Sequence, residues 1–328
     1  MASIMIRIKR ILCPIDLSID AVQALVYALA LTRAYEARLV VCYCIKAGEV
    51  LGATPLPPGS PVRTAEAAYT MSQGRIKALF ERSLLELLAP VAFANLDWEA
   101  LVIEGDDVGG AITQTASEQD IDLIVMRSRR RPHRAAILGS TAESVCRTAP
   151  CPVLVTHSDE REWMDAPGGK IKRVLVAYDF SDYSELALKY ALSFAQEHQA
   201  ELHLLHVLPP GLVNEPELAW YPTGHDTAYH NAARRLQRAV PQETHLWCTI
   251  KHAVAQGKPY REILNYAEKH SIDLISLGAH GAGFGLHTLF GSNVDRVLRQ
   301  APCPVLVARP LKPVVPKELV NHLASVEV

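Results

Sequence analysis

The chain contains one long pattern of residues twice. The segment KRILCPIDLSIDAVQALVYALAL begins at Lys9, and the similar segment KRVLVAYDFSDYSELALKYALSF begins at Lys172. The heptapeptide APCPVLV at 149–155 recurs unchanged at 301–307. Self-similarity at this spacing predicts two homologous domains in tandem, and a length of 328 residues is sufficient for two cores.

The boundary between the copies falls in HSDEREWMDAPGGK, which is charged and then rich in Pro and Gly. We therefore predict a first domain over residues 1–156, a linker over 157–170, a second domain over 171–312 and a C-terminal tail over 313–328.

Each copy alternates short runs of Val, Ile and Leu with amphipathic stretches of helical period. Continuous apolar strands separated by helices are typical of a parallel sheet covered on both faces. The sequence therefore predicts an α/β fold of two tandem, doubly wound, five-stranded parallel sheets flanked by helices. The strands predicted in the second copy are 174–178, 201–207, 249–254, 274–277 and 305–308, and its helices begin near Ser181, Asp226, Pro259 and Ser292.

The composition argues against several classes of protein. With 49% hydrophobic residues and a net charge of −2, the chain is neither disordered nor a polycation that binds nucleic acid. The sequence shows no signal-peptide pattern, and no run reaches the roughly 18 apolar residues of a membrane span. Its seven cysteines form no CxxC pair, which argues against a disulfide framework or a zinc ribbon. We expect a cytoplasmic protein with no nucleic-acid and no membrane partner.

The stretch LGAHGAGFGLHTLFGS, residues 277–292, lies between a predicted strand and a predicted helix. Ligands of open parallel sheets bind beyond the carboxyl ends of the strands, which is where this stretch falls. Gly278 and Gly281 can take positive φ and leave no side chain in the way, so backbone amides can approach an anion closely. Gly291 and Ser292 begin the next helix, whose unpaired first amides and dipole favour phosphate. Ser292 can alternatively be only the cap of that helix.

The spacing of these residues resembles the nucleotide motif of the universal stress protein family. Gly, two residues, Gly, nine residues, Gly and Ser match Gly278, Gly281, Gly291 and Ser292. The Asp of VAYDFS, the HV that ends the second strand and the closing APCPVLV are similar to that family as well. Because both copies are covered, the chain resembles the tandem members of the family.

The resemblance implies a Rossmann-like, adenine nucleotide alpha hydrolase-like fold that binds ATP with Mg²⁺. It implies that Asp179 meets the adenine edge, that the Val207 backbone hydrogen-bonds to adenine and that Gly278 lies by the ribose. Gly281 and residues 291–293 would hold the phosphates. The candidate cofactor-binding residues are Ala177, Tyr178, Asp179, Val207, Leu277, Gly278, His280, Gly281, Gly291, Ser292 and Asn293.

Two of these residues have alternative roles. Asp179 can be a cap of the helix that begins near Ser181, and His280 has no accompanying nucleophile or carboxylate that would make it a catalytic base. We expect His280 to pack or to hydrogen-bond, and we assign no catalytic residue.

The first copy departs from the motif. Aligning the fourth strands places Arg127 at the position of Gly278, and Arg130 at the position of Gly281. Such side chains would fill the phosphate site, and neither arginine takes positive φ at low cost. We therefore expect the first domain to bind a triphosphate poorly.

Part of the site nevertheless remains in the first copy, at Asp16, Gly139 and Ser140. The basic run RSRRRPHR, residues 127–134, can hold another anion, contact a protein partner, or be a solvated loop.

The histidines and cysteines predict no metal site. His203 and His206 differ by three on a predicted strand and point to opposite faces, so they cannot share one ion. Four further residues are predicted to be small buried hydrophobes, with redox sensing as the alternative: Cys42, Cys44, Cys151 and Cys303.

The closing strands CPVLVTH and CPVLVAR resemble the edge strands through which two domains of the family pair. Because apolar edges must be covered, we predict that the two copies pair about a pseudo-twofold axis. This pairing can be internal to one chain, and further homodimerisation stays open.

Three functions remain for the chain. The first is an ATP-binding regulatory module that supports stress tolerance, and the second is a slow Mg²⁺-dependent ATP hydrolase. The third is a scaffold that binds no nucleotide and acts through the N-terminal basic loop.

Overall fold

The computed structural model describes residues 6–18, 22–46, 65–88, 90–128, 138–157, 170–210, 224–280 and 291–309. Gly281, Arg130, the predicted C-terminal tail and all but the two ends of the predicted linker lie outside these residues.

Strands and helices alternate along each copy. The strands are β1 (Arg10–Pro14), β2 (Arg38–Ile45), β3 (Trp98–Glu104), β4 (Leu123–Arg127), β5 (Val153–Thr156), β6 (Arg173–Ala177), β7 (Glu201–Leu208), β8 (Ile250–Gln256), β9 (Leu274–Gly278) and β10 (Val305–Ala308). The helices are α1 (Val22–Tyr35), α2 (Ala65–Leu87), α3 (Val108–Glu118), α4 (Ser140–Thr148), α5 (Asp182–His198), α6 (Gly224–Ala239), α7 (Pro259–Lys269) and α8 (Ser292–Gln300). Every element predicted in the second copy is present, with its bounds shifted by at most two residues.

All ten strands form one sheet in the order β3-β2-β1-β4-β5-β10-β9-β6-β7-β8. Neighbouring strands are parallel within each copy, and the first strand of each copy lies between the second and the fourth. This is a doubly wound arrangement, so the predicted fold class is confirmed.

The two five-stranded sheets join along β5 and β10, which pair antiparallel. Val305 lies opposite Val155, and Val307 lies opposite Val153. The predicted pairing of the closing strands is therefore confirmed, and it occurs within one chain.

Apolar cores cover both faces of the sheet, as its continuous strands require. One core contains buried residues of α1, α2, α5 and α6, and the other contains those of α3, α4, α7 and α8. Both cores draw residues from both copies. None of the helices in the described ranges is long and apolar enough to cross a membrane.

Candidate functional site

A cavity of about 220 Å³ opens at the carboxyl ends of β6, β7 and β9. The chain leaves β6 toward β7 on one side and returns to β9 on the other, so the cavity lies where the direction of winding switches. Crevices at such switch points bind ligands in doubly wound sheets. The walls come from three strands and from α5, α7 and α8; the lining residues are Ala177, Tyr178, Asp179, Ser184, Leu205, Val207, Pro259, Ile263, Leu277, Gly278, His280, Gly291, Ser292, Asn293, Val294 and Val297.

The cavity brings together ten of the eleven candidate residues, and the eleventh, Gly281, lies outside the described residues. Sequence reasoning missed the other six lining residues. Ile263 could have been found from its place on the apolar face of α7, one turn after Pro259. Ser184 carried no such signal, because it lies on α5, far from the glycine-rich motif.

Gly278 ends β9 without taking the positive φ that a glycine allows. Among the described glycines only Gly257 has a φ in that range, at 154°. The requirement for glycine is instead one of packing, because a Cβ on Gly278 would lie 2.6 Å from Tyr183 Cβ and 2.7 Å from the Tyr183 carbonyl carbon. The first turn of α5 thus approaches the strand end closely.

Gly291 is the N-cap of α8, and Ser292 is its first helical residue. The alternative that Ser292 caps the helix is therefore wrong, and the helix has no side-chain cap at all. The first bond of the helix runs from the Asp295 amide to the Gly291 carbonyl at 3.0 Å. The amides of Ser292, Asn293 and Val294 precede it and have no intrahelical acceptor.

Gly291 has an ordinary backbone conformation, with φ −58° and ψ 134°. A Cβ there would meet Val294 Cγ2 at 3.5 Å and the Ala279 carbonyl oxygen at 3.7 Å, which are normal contacts. Neither conformation nor packing among the described residues requires a glycine. An added methyl group would mainly occupy space beside the cavity.

Asp179 follows β6 and shapes the turn that leads into α5. Its Oδ1 accepts bonds from the Ser181 amide (3.1 Å) and the Ser181 hydroxyl (2.5 Å). Ser181 is the N-cap of α5, and its Oγ accepts a bond from the Ser184 amide at 3.2 Å. Asp179 therefore does not cap the helix itself, but it fixes the residue that does while lining the cavity.

His206 holds the ends of β6 and β7 together. Its Nδ1 lies 2.8 Å from the Tyr178 carbonyl oxygen, so this nitrogen carries the proton and donates it. Burial lowers the pKa of His206 below its ordinary value, although the bond to Tyr178 opposes that shift. The next residue, Val207, faces the cavity.

His280 lines the cavity beside α5. Its ring meets the Tyr183 ring edge-on, with centroids 5.1 Å apart. Burial lowers the pKa of His280, and the positive charge of Arg309 lowers it further. Both effects favour the neutral ring, and its contact with Tyr183 agrees with the packing role that we expected.

In the first copy, different residues occupy the corresponding strand end. Arg127 ends β4 at the position that Gly278 has in β9. The Gly139 amide donates to Ser128 Oγ at 3.2 Å, so a side chain of the protein occupies the amide before α4. Asp16 repeats the turn of its counterpart, with bonds of 3.1 and 2.6 Å from the Ser18 amide and hydroxyl.

His203 is buried, as are most of the cysteines. His203 Nδ1 lies 3.0 Å from the Tyr266 hydroxyl, on the opposite face of β7 from the His206 contact, as predicted. No group of three or more His, Cys, Asp or Glu side chains within the described ranges could hold a metal ion. None of the seven cysteines forms a disulfide; six are buried, and Cys44 is only half-buried. Burial raises the pKa of Cys146 and Cys151 to about 12. Such thiols are poor redox sensors.

Comparison with known proteins gives a consistent result. The profile of the universal stress protein family matches residues 7–157 and 170–309. Universal stress protein Rv2623 of Mycobacterium tuberculosis is 30% identical over 261 residues, which are 78% of this chain and 80% of that protein. Universal stress protein Rv2005c of the same organism is 31% identical over 198 residues, 60% of this chain and 65% of that protein, so the match spans just under two thirds of that relative's length.

Two solved structures share the fold. A universal stress protein from Archaeoglobus fulgidus has a TM-score of 0.64 at 22% identity, covering 92% of this chain and 98% of its own. A putative universal stress protein from Pseudomonas aeruginosa has a TM-score of 0.59 at 20% identity, covering 97% of each chain.

Proposed function

Because the chain belongs to the universal stress protein family, we propose that it is a cytoplasmic regulatory module that binds ATP in the C-terminal cavity and thereby supports stress tolerance. Occupancy of the cavity would change the surface that the chain presents to a protein partner. One observation carries this proposal. A single cavity is lined by a carboxylate at a strand end, by Gly291, which has no side chain, and by the start of a helix that no side chain caps.

The phosphate end of the site would lie at the start of α8. The amides of residues 292–294 point outward from the first turn, and the helix dipole favours an anion there. Asp295 lies in the same turn, but its carboxylate is paired with Arg299 through bonds of 2.8 and 2.7 Å. Its negative charge therefore opposes a bound phosphate less than a free carboxylate would.

The base end of the site would lie between Asp179 and the backbone of Val207. The wall around them is apolar, with Tyr178, Leu205 and Leu277 among its residues. A planar base can be enclosed by such a wall while a carboxylate accepts its exocyclic amine. The cavity thus offers an apolar end and an anion-binding end, as an adenine nucleotide requires.

Mg²⁺ would accompany the phosphates. Asp179 is the sole carboxylate among the described lining residues, and its Oδ1 already serves the turn at Ser181. Mg²⁺ commonly binds through phosphates and few protein ligands, so the Ser292 hydroxyl would be the main contribution of the protein. The ion would supply neutralisation of phosphate charge.

The proposal favours binding over hydrolysis. Phosphoryl transfer needs cationic clamps and a group that orients the attacking water. No lysine or arginine occurs among the described residues that line the cavity, and His280 packs against Tyr183.

Mass spectrometry of the ligand released from freshly purified protein tests the proposal. We expect an adenine nucleotide in the released fraction, and saturable binding of Mg-ATP by calorimetry after that ligand has been removed. A chain that retains no nucleotide and shows no heat of binding with Mg-ATP would exclude the proposed function.

A further inference from the structure

A stack of three side chains lies beside the base end of the cavity. It consists of Arg235 from α6, Phe180 from the turn after β6, and His206 from β7. We propose that this stack positions Asp179 and the backbone of Val207 for adenine, and that Arg235 is the residue that sets the preference for that base. The inference rests on the proposed function and extends it to specificity.

The stack is continuous from the helix to the strand end. The Cζ atom of Arg235 lies 3.7 Å from the centroid of the Phe180 ring, and that centroid lies 4.6 Å from the centroid of the His206 ring. The Tyr178 ring meets Phe180 edge-on at 5.3 Å. Since His206 also donates to the Tyr178 carbonyl oxygen, the four side chains tie α6, β6 and β7 together.

Phe180 has an unusual backbone conformation. It has φ 64°, in the left-handed region that residues with a Cβ rarely adopt. Its neighbour Asp179 lines the cavity, so any relaxation of this turn would move the carboxylate. Contacts to the Phe180 ring therefore act on the position of Asp179.

The first copy shows that the turn alone does not require the stack. Leu17 takes the same conformation there, with φ 58°, after an Asp16 that makes the same bonds to Ser18. Tyr43 occupies the position of His206 and packs on Phe80 of α2, with centroids 5.6 Å apart. Aliphatic and aromatic packing thus suffices for the fold, and the cationic stack occurs in the copy whose edge holds the cavity.

The stack acts from outside the cavity. Arg235, Phe180 and His206 are absent from its described lining, whereas Asp179 and Val207, which adjoin them, are present. A carboxylate accepts from the 6-amino group of adenine and repels the 6-oxo group of guanine. Base preference therefore depends on where Asp179 is held, and Arg235 is a positioning residue.

Calorimetry of the full chain with Mg-ATP and Mg-GTP tests this inference. We expect Arg235→Met to weaken ATP binding about fivefold, the equivalent of a cation–π contact of about 1 kcal/mol, and to leave GTP binding unchanged. The preference for ATP over GTP would then narrow by the same factor. Arg238→Met removes one charge from an exposed site on the same helix and should change neither affinity.

A second variant keeps the test independent of any folding defect. Phe180→Leu introduces the residue that the first copy has at this position, where leucine adopts this φ. The midpoint of thermal unfolding should therefore be unchanged, while the preference for ATP over GTP narrows as in the Arg235 variant. Equal losses of affinity for ATP and GTP, or no loss of affinity in either variant, would overturn the inference. The proposed function of ATP binding would then still stand. A wild-type chain that binds no ATP would overturn the proposed function as well.

Discussion

Leu154 and Leu306 lie opposite each other across the antiparallel pair of β5 and β10. The two leucines have the same position in the repeated heptapeptide APCPVLV, so a pseudo-twofold axis passes between them. Both are buried in the core that α1, α2, α5 and α6 cover. The junction between the copies is therefore part of a continuous core rather than a surface contact.

Replacing either leucine at this junction by alanine should lower the stability of the fold. We expect Leu306→Ala to lower the free energy of unfolding by about 2–5 kcal/mol, because it leaves a cavity in a closely packed region. Leu154→Ala should cost a similar amount, since its surroundings are related by the pseudo-twofold axis. Urea unfolding followed by circular dichroism measures both, and Leu246→Ala, at a side chain that is 87% exposed, should stay within about 0.5 kcal/mol of the wild type. A Leu306 variant as stable as the wild type would contradict this account.

A methyl group on Gly278 should destabilise the fold itself. Gly278→Ala places a Cβ 2.6 Å from Tyr183 Cβ, and backbone atoms of α5 cannot move aside cheaply. We expect a loss of about 1–3 kcal/mol, as for other overpacked sites. Thermal unfolding measures it, with Gly74→Ala as the control of opposite sign.

Gly74 lies inside α2, and an added Cβ there meets nothing within 4 Å. Its replacement by alanine should therefore raise stability by about 0.4–1 kcal/mol. If Gly278→Ala were neutral or stabilising as well, the close approach of Tyr183 would not explain the glycine.

The same change at Gly291 should spare the fold and affect the ligand. Its backbone conformation suits alanine, and the nearest protein contacts would be normal at 3.5 and 3.7 Å. We expect Gly291→Ala to keep the thermal midpoint and to weaken Mg-ATP binding about tenfold, because the methyl group would displace phosphate from the helix start. Unchanged ATP affinity, measured by calorimetry, would remove Gly291 from the binding site.

His198 should make the stability depend on pH. Burial, and then the charge of Lys170, lower its pKa from 6.5 to about 4. Between these values the unfolded chain binds more protons than the folded one, so the free energy of unfolding rises with pH across this window. The stabilisation is complete above pH 6.5 and is lost toward pH 4, by on the order of 3 kcal/mol.

Urea unfolding at several pH values compares the wild type with His198→Gln. The variant should show a shallower rise in stability between pH 4 and 6.5, whatever its stability at pH 7. Equal slopes for the two proteins would show that His198 is not held neutral by burial.

The strand positions could be predicted because buried parallel strands have a distinct composition. β10 is apolar throughout, and β9 contains one polar side chain, that of Ser276. The glycine-rich stretch marks the end of β9, and the repeated CP dipeptide marks the start of β10. The duplication then made the pairing of the closing strands predictable. Local pattern and repetition together were sufficient for the fold class.

The reasons for individual site residues could not be predicted in the same way. A glycine is required at 278 because Tyr183 packs closely against it. Tyr183 lies far away in the sequence, and no local pattern reveals that contact. The role of Ser292 depended on which residue begins α8, and sequence patterns locate helix ends only to within a few residues. The stack of Arg235 on Phe180 joins two elements whose contact follows from packing alone.

Because β5 and β10 pair antiparallel, the strands of the two copies run in opposite directions. Arg127 ends β4 and Gly278 ends β9, so these residues emerge from opposite rims of the same sheet. The arginine-bearing rim therefore cannot reach across to whatever the glycine-bearing rim encloses. One chain can therefore carry two sites of different chemistry at opposite edges of its sheet. A substitution at one edge does not change the residues that form the site at the other.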